Sequence, residues 1–161
     1  MKLHHRIKIN LEINMTENSF DTENYKITQD TWGEIGKIKG PQNFFWFIGS
    51  FIDSPSLAKR DDFEVKYWEF KKGEEYKHKP KFQVLCTEYN FIIEGKIMGR
   101  IGDKKGIVLE KGDYIVIRPG EIVNLQQVII EDVKGITIKT PSRHGDTIKN
   151  ETIEKLLNFE K

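Results

Sequence analysis

The sequence predicts an all-β protein, folded as a sandwich or a barrel of short strands. From residue 63 onward, short apolar stretches recur, and a turn signal such as "KKGEE", "KGD" or "RPGE" follows almost every one of them. Only the tail of the chain has a helix-like pattern, and no internal repeat or low-complexity linker interrupts the sequence. Many short strands at this spacing are typical of sandwiches and barrels.

The first part of the chain predicts two strands separated by irregular structure. Apolar and polar residues alternate over residues 3–13, and a period of two is typical of a half-buried strand. Residues 14–43 are polar or rich in glycine and predict loops. The apolar and aromatic run "FFWFIGSFI", residues 44–52, predicts a buried strand around Gly49.

The second part of the chain predicts the strands of the barrel and one helix. The predicted strands cover residues 63–70, 82–93, 96–101, 107–110, 114–117, 122–130 and 136–139. Residues 146–159 predict a helix capped by Asp146 or Thr147. We expect a single domain, with an N-terminal extension over 1–62, a barrel core over 63–140 and a C-terminal loop and helix over 141–161.

Composition excludes several classes of partner. The 161 residues suffice for one domain with a real core. Lys and Arg number 26 against 25 Asp and Glu, so no basic field is expected to attract nucleic acid. No stretch reaches the roughly 18 apolar residues of a membrane span, and the basic start lacks the apolar core of a signal peptide. A single cysteine, Cys86, fits a reducing compartment, so we expect a cytoplasmic protein.

The predicted strand over residues 82–93 places a carboxylate and an amide on one face. Glu88 and Asn90 share this face with Cys86, and both faces of the strand are otherwise largely apolar. Burying a carboxylate and an amide without partners is costly, so both side chains need a partner, water or a ligand. A lone cysteine in an apolar strand is typical of an inert core residue.

Two segments resemble the sequence motifs of the cupin superfamily, whose members are small jelly-roll barrels. The residues that match the motifs are Gly73, Glu88 and Gly95 in the first, and Gly112, Asp113, Pro119 and Gly120 in the second. The resemblance covers roughly residues 63–138. It implies a cupin-type jelly-roll β-barrel, to which this chain adds an N-terminal strand extension and a short C-terminal helix.

The metal ligands that the resemblance implies are largely missing. The histidine positions of the motifs fall on Lys81 and Gln83, or on Phe82 and Val84 with a shorter gap, and on Val123. Glu88 is the one usual ligand that remains, and transition-metal sites usually need three or more protein ligands. We therefore expect no metal and no cofactor. A metalloenzyme that uses Glu88 with His78 stays an alternative if the strand bulges.

The polar residues expected inside the barrel form a candidate ligand site. Its predicted members are Glu88, Asn90, Asn124, Gln126 and Lys81. Amides and a carboxylate supply donors and acceptors together, which suits a hydroxyl-rich or nucleobase-like ligand, and barrel mouths often bind ligands. Alternatively, Glu88 and Asn90 form a structural hydrogen-bonded pair within the sandwich.

His78 is the candidate catalytic residue, at the entry to the predicted strand. With Lys79 and Lys81 it forms a solvated basic turn, an anion-facing rim or a general acid–base site. Metal-free barrels related to cupins isomerise or epimerise sugars with a histidine, so the resemblance implies this activity as one alternative. A non-catalytic interaction module is another alternative.

We expect the chain to bind a small polar ligand, namely a sugar, a nucleotide or a nucleotide-sugar. The ending "GITIKTPSRHGDTI" is similar to that of a group of uncharacterised cupins, some associated with carbohydrate or nucleotide-sugar metabolism.

The predicted N-terminal strand and the aromatic run over 44–51 exceed what a minimal barrel needs. They predict a homodimer, formed by strand exchange or by sheet extension.

Overall fold

The computed structural model describes residues 19–21, 26–28, 44–52, 56–75 and 78–149, and most of these residues lie in β-strands. The strands are β1 (Ser19–Asp21), β2 (Lys26–Thr28), β3 (Phe44–Ile48), β4 (Glu64–Phe70), β5 (Lys81–Gln83), β6 (Thr87–Ile101), β7 (Lys104–Glu110), β8 (Tyr114–Ile117), β9 (Val123–Thr140) and β10 (Thr147–Lys149). Within the described ranges, β1 and β2 pair with each other, and β3–β10 form one curled antiparallel sheet. The expectation of an all-β jelly roll is confirmed.

Two long strands organise the curled sheet. β6 and β9 pair antiparallel from Thr87 opposite Thr140 to Ile101 opposite Val123. β6 also pairs with β8 near its start and with β7 near its end, while β9 pairs with β4 and with β5. Each long strand therefore has partners on both sides and runs through the middle of the curled sheet.

The predicted turn at Gly95 lies within a strand instead of between two strands. The register between β6 and β9 shifts on both sides of Glu94, so β6 bulges and bends there but continues to Ile101. Gly95 has φ +80°, and a Cβ atom on it would lie 1.9 Å from the carbonyl oxygen of Asp132. Glycine is therefore required at this bulge. The segments 122–130 and 136–139, predicted as separate strands, likewise form the single strand β9.

The segment 82–93, predicted as one continuous strand, is broken. β5 ends at Gln83, the exposed residues Val84 and Leu85 turn outward, and β6 begins at Thr87. The carboxylate of Asp146 accepts hydrogen bonds from the backbone N–H groups of Leu85 (2.9 Å) and Cys86 (3.0 Å). These bonds satisfy the backbone where the strand pairing stops. The periodicity of the segment could not reveal them, because Asp146 lies 60 residues further along the chain than Cys86.

The helix predicted from Asp146 or Thr147 is wrong at its start. Thr147–Lys149 forms strand β10, which pairs with β5. Asp146 does not cap a helix, because its carboxylate is bound to the turn between β5 and β6. Residues 150–161 and the predicted strand over 3–13 lie outside the described residues.

The aromatic run forms a half-buried strand rather than a fully buried one. β3 covers Phe44–Ile48 and pairs with β4. In the sheet order β10-β5-β9-β4-β3, it is the last strand. In the part of the chain that the structure describes, no helix has the length and apolar character needed to cross a membrane.

The apolar core fills one end of the interior. Its central members are fully buried: Trp68, Ile97, Ile129 and Val133. The ring of Trp68 covers Gly135 on the neighbouring strand, where an added Cβ atom would lie 2.1 Å from the ring. The indole Nε1 of Trp68 donates to Thr137 Oγ1 at 2.9 Å, which ties the core to a polar region beside it.

Candidate functional site

The interior changes from apolar to polar along three strands. On β4, β6 and β9, every second side chain points to the interior. These inward side chains are apolar where they belong to the core, and toward one end of the strands they are polar or charged. We call this region the polar end; it consists of Glu64, Lys66, Lys81, Gln83, Glu88, Asn90, Thr137 and Lys139. Six of the eight residues are buried, and Lys66 and Lys81 are half-buried. The polar end is therefore part of the barrel interior.

Glu88 accepts four hydrogen bonds at the centre of the polar end. Its Oε1 accepts from Lys81 Nζ (2.9 Å) and Asn90 Nδ2 (3.0 Å), and its Oε2 accepts from Lys81 Nζ (2.8 Å) and Gln83 Nε2 (2.8 Å). Burial pushes the pKa of Glu88 up, but the ammonium groups of Lys81 and Lys66 outweigh burial and lower it to about 2. Glu88 is therefore ionised at neutral pH.

Hydrogen bonds extend from Glu88 into the strands around it. Asn90 Oδ1 accepts from Thr137 Oγ1 at 2.6 Å, and Gln83 Oε1 accepts from Thr147 Oγ1 at 2.7 Å. Thr147 Oγ1 in turn accepts from Lys139 Nζ at 3.0 Å. The network joins β5, β6, β9 and β10, so the sheet holds these side chains in fixed positions.

A second buried ion pair lies beside this network. Lys139 Nζ is 3.4 Å from Glu64 Oε1, and the two side chains are only 7% and 5% exposed. The other oxygen of Glu64 accepts a hydrogen bond from Ser142 Oγ at 3.1 Å. Burial and the charge of Lys81 lower the pKa of Lys139.

Lys66 also belongs to the polar end and contacts aromatic rings. Its Nζ is 5.1 Å from the centre of the Trp46 ring and 5.3 Å from that of Phe44, which is the geometry of a cation–π interaction. The pairing of β4 places Lys66 opposite Trp46 on β3 and Thr137 on β9. Burial, together with the charge of Lys81, lowers the pKa of Lys66 to about 7.

His78 lies against the core with an unsatisfied nitrogen. Its ring meets the ring of Phe70 edge to face, with centroids 4.1 Å apart. Its Nε2 is buried and has no hydrogen-bond partner among the described residues. Burial, and then the charges of Lys66 and Lys81, lower the pKa of His78 to about 4, so the imidazole is neutral at neutral pH.

The structure brings together three of the five predicted ligand-binding residues. Lys81, Glu88 and Asn90 are directly hydrogen-bonded to one another through the carboxylate. Asn124 and Gln126 do not join them, because they alternate with the buried core residues Val123 and Leu125 on β9. Their side chains therefore point to the opposite face of the strand.

Sequence reasoning missed Glu64, Lys66, Gln83 and Lys139. The available signal was the shared parity of Glu64 and Lys66 with Trp68 in "EVKYWEF". That signal was weak, because the other face of β4 is also buried, at Val65 and Tyr67. In a continuous strand over 82–93, Gln83 and Glu88 would lie on different faces. The break between β5 and β6, which the sequence did not predict, lets Gln83 reach Glu88.

The residues at the cupin metal positions do not fit a metal ion. The ammonium of Lys81 and the amide nitrogen of Gln83 both donate to Glu88, and Val123 is a buried apolar residue. An ammonium group cannot act as a ligand, and such sites usually need three or more ligands. Across the described ranges, no three His, Cys, Asp or Glu residues group closely enough to hold a metal.

Comparison with known proteins supports the fold alone. No family model and no curated protein matches the chain. The structure of Pac13, described as a nucleoside dehydratase, has a TM-score of 0.51 and 10% identity, covering 83% of this chain and 86% of that one. A Streptomyces Pac13 variant with uridine has a TM-score of 0.50 and 10% identity, covering 83% and 85% of the two chains.

A protein with a double-stranded β-helix domain from Klebsiella pneumoniae is 17% identical, with a TM-score of 0.48 over 56% of this chain and 76% of that one. An RmlC-like cupin from Methanocaldococcus jannaschii is 15% identical, with a TM-score of 0.45 over 51% and 72% of the two chains. The likeness to Pac13, at TM-scores of 0.50 and 0.51, shows a shared β-barrel fold.

Proposed function

Starting from a cupin fold whose metal positions carry Lys81, Gln83 and Val123, we propose that this protein binds a small polar ligand at the polar end without a metal. One observation carries the proposal: three ammonium groups and two carboxylates lie together inside the barrel. Desolvating such charges is costly, and well-packed apolar residues of similar volume are often as stable or more stable. A ligand that binds these charges would explain why the protein has them in spite of their desolvation free energy.

The ligand class follows from the chemistry of the polar end. Ammonium and amide groups donate, carboxylate and hydroxyl groups accept, and Trp46 and Phe44 offer aromatic faces. This combination suits a sugar, a nucleotide or a nucleotide-sugar. Pac13 has been solved with uridine, so nucleosides belong among the compounds to test. The single cysteine supports the cytoplasm as the place of action.

Thermal-shift measurements with sugars, nucleosides, nucleotides and nucleotide-sugars test the proposal. We expect a ligand at about 100 times its Kd to stabilise the native state by about 2.7 kcal/mol, which raises Tm by several degrees. Trp46→Leu removes the aromatic face and should reduce this shift. Phe47→Leu, on the opposite face of β3, is the matched control and should keep it. A wild-type Tm unchanged by every compound would overturn the proposal.

A second candidate function is acid–base catalysis on a sugar, and the unsatisfied Nε2 of His78 favours it. With a pKa of about 4, the neutral imidazole can accept a proton at pH 7, while about one molecule in a thousand can donate one. An isomerase or epimerase of this kind would exchange a carbon-bound hydrogen of its sugar with D₂O. NMR should show this exchange for the wild type and its loss in His78→Ala, with binding retained. No exchange with any ligand that binds would exclude this function.

A further inference from the structure

Lys66 carries the one ammonium group of the polar end that forms no ion pair among the described residues, although the charge of Glu88 acts on it from beyond ion-pair distance. Glu88 is bound by Lys81 and by the amides of Gln83 and Asn90. Glu64 is bound by Lys139 and Ser142. Within the described part of the chain, Lys66 Nζ therefore has neither a carboxylate partner nor a hydrogen-bond acceptor, and it meets only the faces of Trp46 and Phe44.

An ammonium group that is partly removed from water needs compensation. Aromatic faces supply part of it, but they leave the three N–H donors of Lys66 without acceptors. The charges of Lys81, Lys139 and Lys149 disfavour the ammonium form of Lys66, and the charge of Glu88 offsets them only in part. When Lys66 is protonated, the polar end has one more ammonium group than carboxylates and has free N–H donors, and an anion would satisfy both.

The position of Trp46 indicates where such an anion would lie. Lys66 Nζ and Lys139 Nζ both approach the Trp46 ring, at 5.1 and 5.2 Å from its centre. Lys139 is already paired with Glu64 and Thr147, so its charge is largely compensated. Lys66 is the group left to form new hydrogen bonds beside the same ring.

On the basis of the ligand site proposed above, we infer that the ligand carries an oxyanion, a phosphate or a carboxylate, and that Lys66 binds this group while the Trp46 ring packs against the ligand. The ligand class is therefore narrowed to sugar acids, sugar phosphates and nucleotides, and neutral sugars and nucleosides are excluded as the preferred ligands.

Binding of an oxyanion has a consequence for proton uptake. In the free protein, the pKa of Lys66 is lowered to about 7 by burial, so most molecules are neutral at this amine at pH 8. A bound anion favours the ammonium form and raises that pKa. Binding at pH 8 should therefore take up close to one proton, and the affinity should fall as pH rises above about 7, the pKa of Lys66 in the free protein.

Isothermal titration calorimetry with matched compounds tests the inference. The probes are uridine against uridine monophosphate, glucose against glucuronate, and inorganic phosphate alone. We expect the wild type to bind one anionic member at least tenfold more tightly than its neutral partner, with proton uptake visible as a heat that depends on the buffer. Lys66→Met should lose both the tenfold preference and the proton uptake. Lys105→Met, at an exposed lysine of β7, removes the same charge and should keep both.

The outcomes separate this inference from the proposed function. Neutral compounds that bind as well as anionic ones would overturn the role of the oxyanion while leaving the ligand site. Phosphate that binds through Lys66, without tighter binding of any sugar or nucleoside derivative, would support the inference and overturn the proposed ligand class. Tight binding that is unchanged in Lys66→Met, or no anion binding at all, would overturn the inference. Tighter binding of uridine monophosphate would identify the oxyanion as a phosphate, and tighter binding of glucuronate would identify it as a carboxylate.

The stability of the free variant gives an independent readout. If the role of Lys66 is to bind a ligand, its unpaired charge destabilises the protein when no ligand is bound. Lys66→Met should then have a higher Tm than the wild type, both measured without ligand. A lower Tm would show that Lys66 stabilises the fold instead, and would overturn the inference.

Discussion

Glu88 matches the carboxylate of the cupin metal motif that the sequence resembles, yet here its carboxylate is satisfied by the protein itself. Lys81 supplies the positive charge, and Gln83 and Asn90 supply the remaining donors. A buried ion pair is retained at an acceptable cost only when its remaining hydrogen-bonding positions are filled. The four bonds to Glu88 meet this condition.

Removing one partner of this pair should therefore be costly. Lys81→Met leaves a carboxylate whose side chain is 2% exposed without its counter-charge, and we expect a loss of about 3 kcal/mol in the free energy of unfolding. The matched control is Lys134→Met, which breaks the exposed pair with Glu94 and should cost far less, because solvent screens that pair. Urea denaturation at pH 7 measures both values. Equal losses would contradict the structural role of Lys81.

His78 should make stability depend on pH in a defined window. Its pKa is about 4 in the native state and 6.5 for a free side chain, so between these values the unfolded chain binds a proton that the native protein does not. The free energy of unfolding should fall as pH decreases from 6.5 to 4, by about 1 kcal/mol after allowance for solvent screening.

Denaturation at several pH values checks the contribution of His78. His78→Leu should have a shallower dependence than the wild type between pH 6.5 and 4. His144→Gln, at an exposed histidine of the loop before β10, should keep the wild-type dependence. An unchanged slope in His78→Leu would show that the imidazole is already hydrated or protonated in the native state.

At the scale of elements, the packing of β4 on β9 depends on one close approach. The Trp68 ring lies on Gly135, where any Cβ atom would overlap with it. Gly135 has no positive φ, so its requirement is steric rather than conformational. The ring fills the groove that the missing side chain leaves, and its Nε1 then reaches Thr137.

Gly135→Ala should therefore destabilise the protein by about 3 kcal/mol, because the ring must move out of a close-packed core. The cause can be tested with a double-mutant cycle that includes Trp68→Leu. If the overlap with the ring is responsible, Gly135→Ala should cost much less in the Trp68→Leu background. Additive losses in thermal unfolding would show that another contact is responsible.

At the scale of the whole molecule, β3 ends the described sheet and leaves one edge without a partner strand in the described ranges. The strand is aromatic, with Phe45 and Phe47 stacked at 6.4 Å on the face opposite to Trp46. Exposed strand edges favour pairing with another chain. The prediction of a homodimer by sheet extension is therefore retained.

Sedimentation velocity at micromolar concentration tests this prediction. We expect a dimer for the wild type, and a monomer for Phe45→Lys, because a charge at an edge strand opposes edge-to-edge pairing. Phe91→Lys makes the same substitution at an exposed residue of β6, which has a partner strand on each side there, and should remain dimeric. A wild type that sediments only as a monomer would contradict the prediction.

Local signals in the sequence were enough to predict the class of fold and some members of the candidate site. Strand periodicity and turn residues such as Pro119 and Gly120 are local signals, and they predicted an all-β barrel with the strands near their observed positions. Glu88 and Asn90 were predicted as ligand-binding residues because a carboxylate and an amide on an apolar strand need partners, and Lys81 because it belongs to the basic cluster beside His78. The structure brings these three side chains together, and ligand binding by them stays a prediction.

Which side chains meet inside the barrel depends on contacts between residues far apart in the chain. Asp146 breaks the strand before Glu88 and so turns Gln83 toward it, through hydrogen bonds between residues far apart in the chain. Alternation along a strand tells which residues share a face, but not which face turns inward. For that reason Asn124 was expected inside and lies on the other face, while Lys66 was overlooked and carries the unpaired charge of the site.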